Sequence, residues 1–169
     1  MTLKISSLLT FSALTVATIF IATSCKKSNS GGGGNSVSAT ISGSGWQTTI
    51  PTQAVYAVNG GIGEFAIVGG QIKSGDTTVL TVAFTTPILV HAAVSSDTAD
   101  VEVEYINAKT LIEYDGGPLV GHSILTVSSW DSVNHKIVGT FTGVLYNVTG
   151  GTDSLIVTNG SFNTAYTTQ

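Results

Sequence analysis

Lys136-Ile137-Val138-Gly139-Thr140-Phe141-Thr142-Gly143-Val144-Leu145-Tyr146 alternates strictly along its length. Ile137, Gly139, Phe141, Gly143 and Leu145 fall on one face, with Thr140, Thr142 and Tyr146 among those on the other. A period of two is the mark of a strand with one buried side. Gly139 and Gly143 leave room beside Phe141. Downstream, Gly150-Gly151 turns the chain and Ser154 to Thr158 returns it. Asn159-Gly160 fits either a type I′ hairpin or a bulge inside one longer strand. Phe162 and Tyr166 continue the extended pattern, which favours the bulge.

The same alternation runs upstream. His122 to Trp130 reads as a strand, closed by a turn at Asp131 to Asn134. Val37, Ala39 and Ile41 alternate with Ser and Thr, and Gln53 to Val58 ends at Asn59-Gly60-Gly61. Glu64 to Ile72 is interrupted by Gly69-Gly70, which predicts a bulge or bend there. Thr77 to Phe84 puts Leu80, Val82 and Phe84 on one face, and Ile88 to Val94 after Pro87 reads as a further strand. Asp100 to Ile106 and Lys109 to Tyr114 form a hairpin around Asn107-Ala108. Outside the leader, no window repeats apolar residues at the helical spacing. The chain therefore predicts an all-β domain, an antiparallel β-sandwich or a closed β-barrel of about eight to ten strands.

Ser129-Trp130-Asp131, Ile137-Val138-Gly139-Thr140-Phe141 and Val157-Thr158-Asn159-Gly160-Ser161-Phe162 follow one another in the C-terminal third. Together with Ala39-Thr40-Ile41-Ser42-Gly43 and Trp46, they resemble a recurrent pattern of Bacteroidota lipoprotein β-domains of unknown function (DUF6252-like). The resemblance covers residues 37–166. It implies a β-domain and carries over no catalytic residues, because its motifs are turn and packing signatures.

Lys4 and the run Leu8 to Ala22, apolar but for Ser and Thr, form a leader whose core of about 15 residues is short of the roughly 20 a spanning helix needs. Ile21-Ala22-Thr23-Ser24-Cys25 resembles the bacterial lipobox, with Ala22 where Leu is usual. Residues 1–24 then read as a lipoprotein signal peptide. Cys25, the chain's single cysteine, becomes the lipidated first residue. The resemblance implies a second acyl group (palmitate), which meets the two-signal rule for stable anchoring. Residues 25–36, with four consecutive glycines, have the composition of a flexible tether, leaving residues 37–169 as one domain. The expected location is the outer membrane of the cell envelope. The periplasmic face is favoured, since Lys26-Lys27-Ser28-Asn29 lack the acidic residues that the Bacteroidota resemblance associates with export to the surface.

Charged residues make up only 9% of the chain, and none is Arg. Without guanidinium forks, and with five lysines against ten acids after Cys25, nucleic-acid binding is excluded. The expected partners are the membrane, through the lipid on Cys25, and a glycan or envelope protein.

Six of the ten acids lie between Asp97 and Asp115, opposed in sequence only by Lys109. A two-residue loop at Asn107-Ala108 pairs Glu102 with Glu113. Like charges directly opposite are unfavourable unless a cation joins them, so Asp97, Asp100, Glu102 and Glu113 form a candidate Ca²⁺ site. The competing and favoured reading is a charged edge hairpin that repels strand addition. No other cofactor is expected. His91, His122 and His135 lack metal-ligand spacing, and no G-x-S-x-G elbow is present. Gly61-Ile62-Gly63-Glu64-Phe65-Ala66 has the letters of a dinucleotide fingerprint without the following helix, so it reads as a turn. Trp46, Tyr56, Tyr105, Tyr114, Trp130 and Tyr146 offer an aromatic platform for a sugar ring, or else pack in the core. The sequence thus favours a non-catalytic structural or binding module, with a carbohydrate- or cation-binding surface domain second and a hydrolase third.

Overall fold

The computed structural model describes residues 34–169. Cys25, the leader and the tether up to residue 33 lie outside the described residues. The first six strands are β1 (Ser36–Ile41), β2 (Ser44–Gln47), β3 (Ile50–Asn59), β4 (Ile62–Lys73), β5 (Asp76–Thr85) and β6 (Ala93–Ser95). The second six are β7 (Val101–Asn107), β8 (Ile112–Asp115), β9 (His122–Asp131), β10 (Lys136–Asn147), β11 (Ser154–Ala165) and β12 (Thr167–Thr168). Ten of them follow one path, β12-β3-β4-β5-β7-β8-β10-β11-β1-β2, and the whole sheet curls strongly into an open half-barrel. β9 takes the rest of the β10 edge and carries β6. All pairings are antiparallel except β12 with β3. The all-β expectation holds, with the sheet curled like a barrel but left open. Its path ends in strands of four and two residues, which offer little edge for another chain to extend.

Local chemistry explains the tight corners. Ser42-Gly43, Gly60-Gly61 and Ser74-Gly75 are two-residue turns with both residues at positive φ. That geometry matches the right-handed twist of the strands it joins. Gly60-Gly61 accordingly makes the expected turn at the dinucleotide-like letters.

The concave face holds the core. Phe65, Phe84, Phe141, Phe162, Leu80, Leu125 and Leu145 are all 2% exposed or less. The aromatics largely pack inward. Trp46 is buried, and its indole N–H donates to Thr78 Oγ1 at 2.8 Å. Trp130 donates to Tyr166 Oη at 3.0 Å, and its ring meets Phe65 edge-on at 5.3 Å. Tyr105 and Tyr114 share the core face of β7–β8, with ring centroids 6.3 Å apart.

The curl brings strands close, and small residues make that possible. Gly139 lies opposite Phe162, and Phe141 lies opposite Gly160, so each ring covers the other strand's glycine. A Cβ on Gly139 would overlap the Phe162 ring and the Thr126 carbonyl oxygen; one on Gly160 would overlap Phe141. The register shift beside Gly160, with Asn159 at φ 52°, is the expected bulge within one long strand.

Three local readings are corrected. Gly69-Gly70 is no bulge: β4 pairs with β5 in unbroken register across both glycines. The irregularity is in β3 between Ile50 and Gln53, because Gly69 is needed where Thr48, Val37 and Trp46 cross over it. Ile88 to Ala92 is not strand. His91 adopts φ 68° there and sits exposed in a turn, so only Ala93–Ser95 extends. Finally, the β7–β8 loop has four residues, not two. Asn107 Oδ1 accepts the N–H groups of Lys109 (3.0 Å) and Thr110 (3.2 Å), and Leu111 closes the turn at φ 56°. Without a Gly after Asn107 the two-residue form is disfavoured.

Gly139→Ala is expected to lower unfolding free energy by about 2 kcal/mol, since a Cβ there meets backbone as well as a ring. Gly45→Ala, with open space around the added carbon, is expected to stay within about 0.5 kcal/mol of wild type. Urea titration of the two variants separates these outcomes.

Candidate functional site: an acidic row on the outer face

The four-residue loop sets the register Glu104↔Asp115, Tyr105↔Tyr114, Ile106↔Glu113 and Asn107↔Ile112. Glu102 is therefore not opposite Glu113, which corrects the expected pairing. The correction shifts the partner by an even number of residues, so both strands keep their faces. Val101, Val103, Tyr105 and Tyr114 turn to the core, and Glu102, Glu104, Glu113 and Asp115 share the outer face. On the far side of β7, Thr81 stands opposite Glu104 and Ala83 opposite Glu102.

These acids are not a solvated edge. β7 is an interior strand, and Glu102 is 9% and Glu104 3% exposed. The Gly116-Gly117 turn follows directly on from Asp115. Gly117 N–H donates to Asp115 Oδ1 at 2.6 Å, and an added Cβ on Gly117 would stand 3.4 Å from Glu102 Cγ. The edge-hairpin reading therefore fails for β7, because β5 pairs with its other side.

No salt bridge among the described residues reaches these carboxyls. The salt bridges among the described residues are Lys109 Nζ to Asp76 Oδ1 (2.7 Å) and His122 Nδ1 to Asp97 Oδ2 (3.0 Å). Burial pushes the Glu102 carboxyl up to about 7, helped by Asp115 and then Glu113. Burial also pushes Glu104 up to about 8, reinforced by the charge of Glu113, a hydrogen bond to it, and the charges of Glu102 and Asp115. Asp115 is raised by burial and by Glu113, against the lowering effect of the Gly117 N–H. Two polar atoms remain without partners in this region, Glu104 Oε2 and Thr81 Oγ1.

Of the four residues expected to form a cation site, the structure brings Glu102 and Glu113 onto one face. It adds Glu104 and Asp115, which the expected site left out. Their signal was legible: acids at 102/104 and 113/115 repeat at period two. Asp97 and Asp100 lie in the exposed β6–β7 connection. Among the described residues, no three His, Cys, Asp or Glu side chains are already gathered as a metal-ligand group.

Asp97 also accepts a bond from Ser95 Oγ at 3.3 Å. The order is Ser–Asp–His, with the carboxylate in the middle. The imidazole thus holds no hydroxyl, and the arrangement is not that of a nucleophile-base pair. His135 packs against Tyr166 at 5.2 Å, away from His91, whose N–H donates to the Val127 carbonyl. A groove of about 490 Å³ between β2 and the end of β4 is lined by Ser38, Gln47, Thr49, Gln71 and Lys73, with Trp46 behind them. Comparison with family models, with curated proteins and with solved structures finds no match.

The raised carboxyls make a signed pH prediction. Glu102 and Glu104 bind protons more tightly folded than unfolded, so their contribution to stability is full below about 4.5. It is lost as pH rises through 7 to 8. At roughly 1.4 kcal/mol per unit, Glu102 alone accounts for about 3 kcal/mol. Urea midpoints in chelator-containing buffer should fall between pH 5 and pH 9, and Glu104→Gln should flatten that fall. A midpoint that rises with pH over this interval contradicts the assignment.

Proposed function

We propose that this chain is a lipid-anchored protein of the cell envelope, attached through Cys25, whose β-domain has a structural or binding role and is not an enzyme. The observation that carries the proposal is the single cysteine, standing where an apolar leader ends and a Gly/Ser-rich segment begins. That segment leads into β1 at Ser36, where the folded sheet starts. A flexible tether between a lipidated residue and a folded domain suits a membrane-anchored module.

The non-catalytic part of the reading draws on the Ser95-Asp97-His122 contact order and on the resemblance to lipoprotein domains of unknown function. The glycan reading is weaker. Trp46, Tyr114 and Tyr166 are buried, Tyr56, Tyr105 and Trp130 are half-buried, and Tyr146 alone among these aromatics is exposed, at 48%. One exposed ring makes no platform.

Metabolic labelling with an alkyne palmitate analogue tests the anchor. Label is expected on the wild-type chain and absent from Cys25→Ser; equal labelling of the two removes the proposal. Proteinase K treatment of intact cells tests the side of the membrane. Protection that ends on outer-membrane permeabilisation is the expected result, and digestion in intact cells would put the domain on the surface.

A further inference from the structure

We infer that the outer face of the β7–β8 hairpin binds a hard divalent cation of the Ca²⁺ type, through the carboxylates of Glu102, Glu104, Glu113 and Asp115 with the Thr81 hydroxyl beside them. The inference goes beyond the proposed anchoring role and does not depend on it.

Three observations meet here. First, the row is rich in hard oxygen donors and empty of counter-charge. The rows of the sheet run Val68, Thr81, Glu104, Asp115, Tyr146 across five strands, with Ala66, Ala83 and Glu102 in the next. The charged residues of β7 and β8 are all acids, and Lys109 in the loop between them is engaged with Asp76. Second, the acids are covered. Carboxylates taken out of water are found paired or coordinating a metal, because the isolated charge is costly. Third, and independently of the acids, Thr81 Oγ1 is a hydroxyl on a 5% exposed residue with no partner, placed directly opposite Glu104. Buried hydroxyls are almost always satisfied. An ion held among these carboxylates would give that oxygen a partner, together with Glu104 Oε2.

The donor chemistry chooses the ion. Neither β7 nor β8 carries a Cys or His, which argues against Zn²⁺ and other softer metals. Carboxylates with a hydroxyl suit Ca²⁺, which accepts six to eight oxygens in adaptable geometry. The side chains are not gathered as a cage beforehand. Binding therefore requires Glu102 and Glu104 to turn about their side-chain torsions, which unbranched side chains allow.

The test is thermal unfolding of the full chain in detergent at pH 8, in EGTA and then in millimolar CaCl₂. Wild type is expected to gain about 5 °C or more with Ca²⁺. Glu104→Gln is expected to be at least as stable as wild type in EGTA, because it removes one repelling charge, and to lose most of the Ca²⁺ gain. Asp97→Asn, on the exposed turn, is expected to keep the full gain. Should Glu104→Gln fail to fold, Thr81→Val read by calorimetric Ca²⁺ titration takes its place, with weaker binding expected. An unchanged wild-type melting temperature with Ca²⁺ overturns the inference. So does a gain that survives Glu104→Gln, or one that Asp97→Asn abolishes, since either puts the ion elsewhere.

Discussion

The fold rests on a shortage of room. A sheet that curls this tightly has a concave face too crowded for a side chain at every position, and the chain answers by setting phenylalanine opposite glycine. Phe141 covers Gly160 and Phe162 covers Gly139, with the two rings stacked at 6.4 Å and 19°. Adding one methyl group at either glycine pushes against a ring and backbone that have nowhere to go. Gly69 does the same on the core face of β4, where Thr48, Val37 and Trp46 pass over it. Close-packed interiors tolerate added methylenes poorly, so these absent side chains constrain the fold as firmly as the buried rings do.

Glycine also shapes the outer face. Gly116, Gly117 and Gly121 bring the β8–β9 connection down against β8 and β10, where an added Cβ would strike Leu145, Asp115 or the Val144 carbonyl. Gly117 lies against Asp115 and Glu102, beside the acidic row. The carboxyls of Glu102 and Glu104 are raised first by burial and only then by neighbouring acids, Asp115 foremost for Glu102 and Glu113 foremost for Glu104. Fold and site thus share a cause: close approach of backbone creates the core on one side and confines charge on the other.

Much of this was legible from residue order. Alternation from Ile137 to Leu145 named the buried face of β10 correctly, and the continuation through Phe162 and Tyr166 identified the bulge at Asn159. The sharing of a face by Tyr105 and Tyr114 was legible too, because parity survives an even shift in register. What the sequence hid was the length of the Asn107 turn. An Asn side chain that caps two N–H groups extends the loop without any glycine to announce it. That shift moved the partner of Glu104 to Asp115, while the shared face of the four acids stayed legible in their period-two spacing. Gly69-Gly70 misled for a related reason. Glycines within a strand pattern signal either a bulge or the approach of another backbone, and only the tertiary crossing of β1 and β2 over β4 decides between them. The apolar run from Ile88, in which Leu89 and Val90 are exposed, read as strand because nothing local foretold the left-handed His91.

Carboxyls on the outer face of β7 are enclosed, and among the described residues none of them is in a salt bridge. Carbon-13 carboxyl NMR, titrating Glu102 and Glu104 in cation-free buffer, reads that enclosure residue by residue. Midpoints near 7 for Glu102 and near 8 for Glu104 are expected, well separated from the exposed acids. Midpoints for both near the ordinary 4.5 would mean that the row is open to water, and would contradict that enclosure.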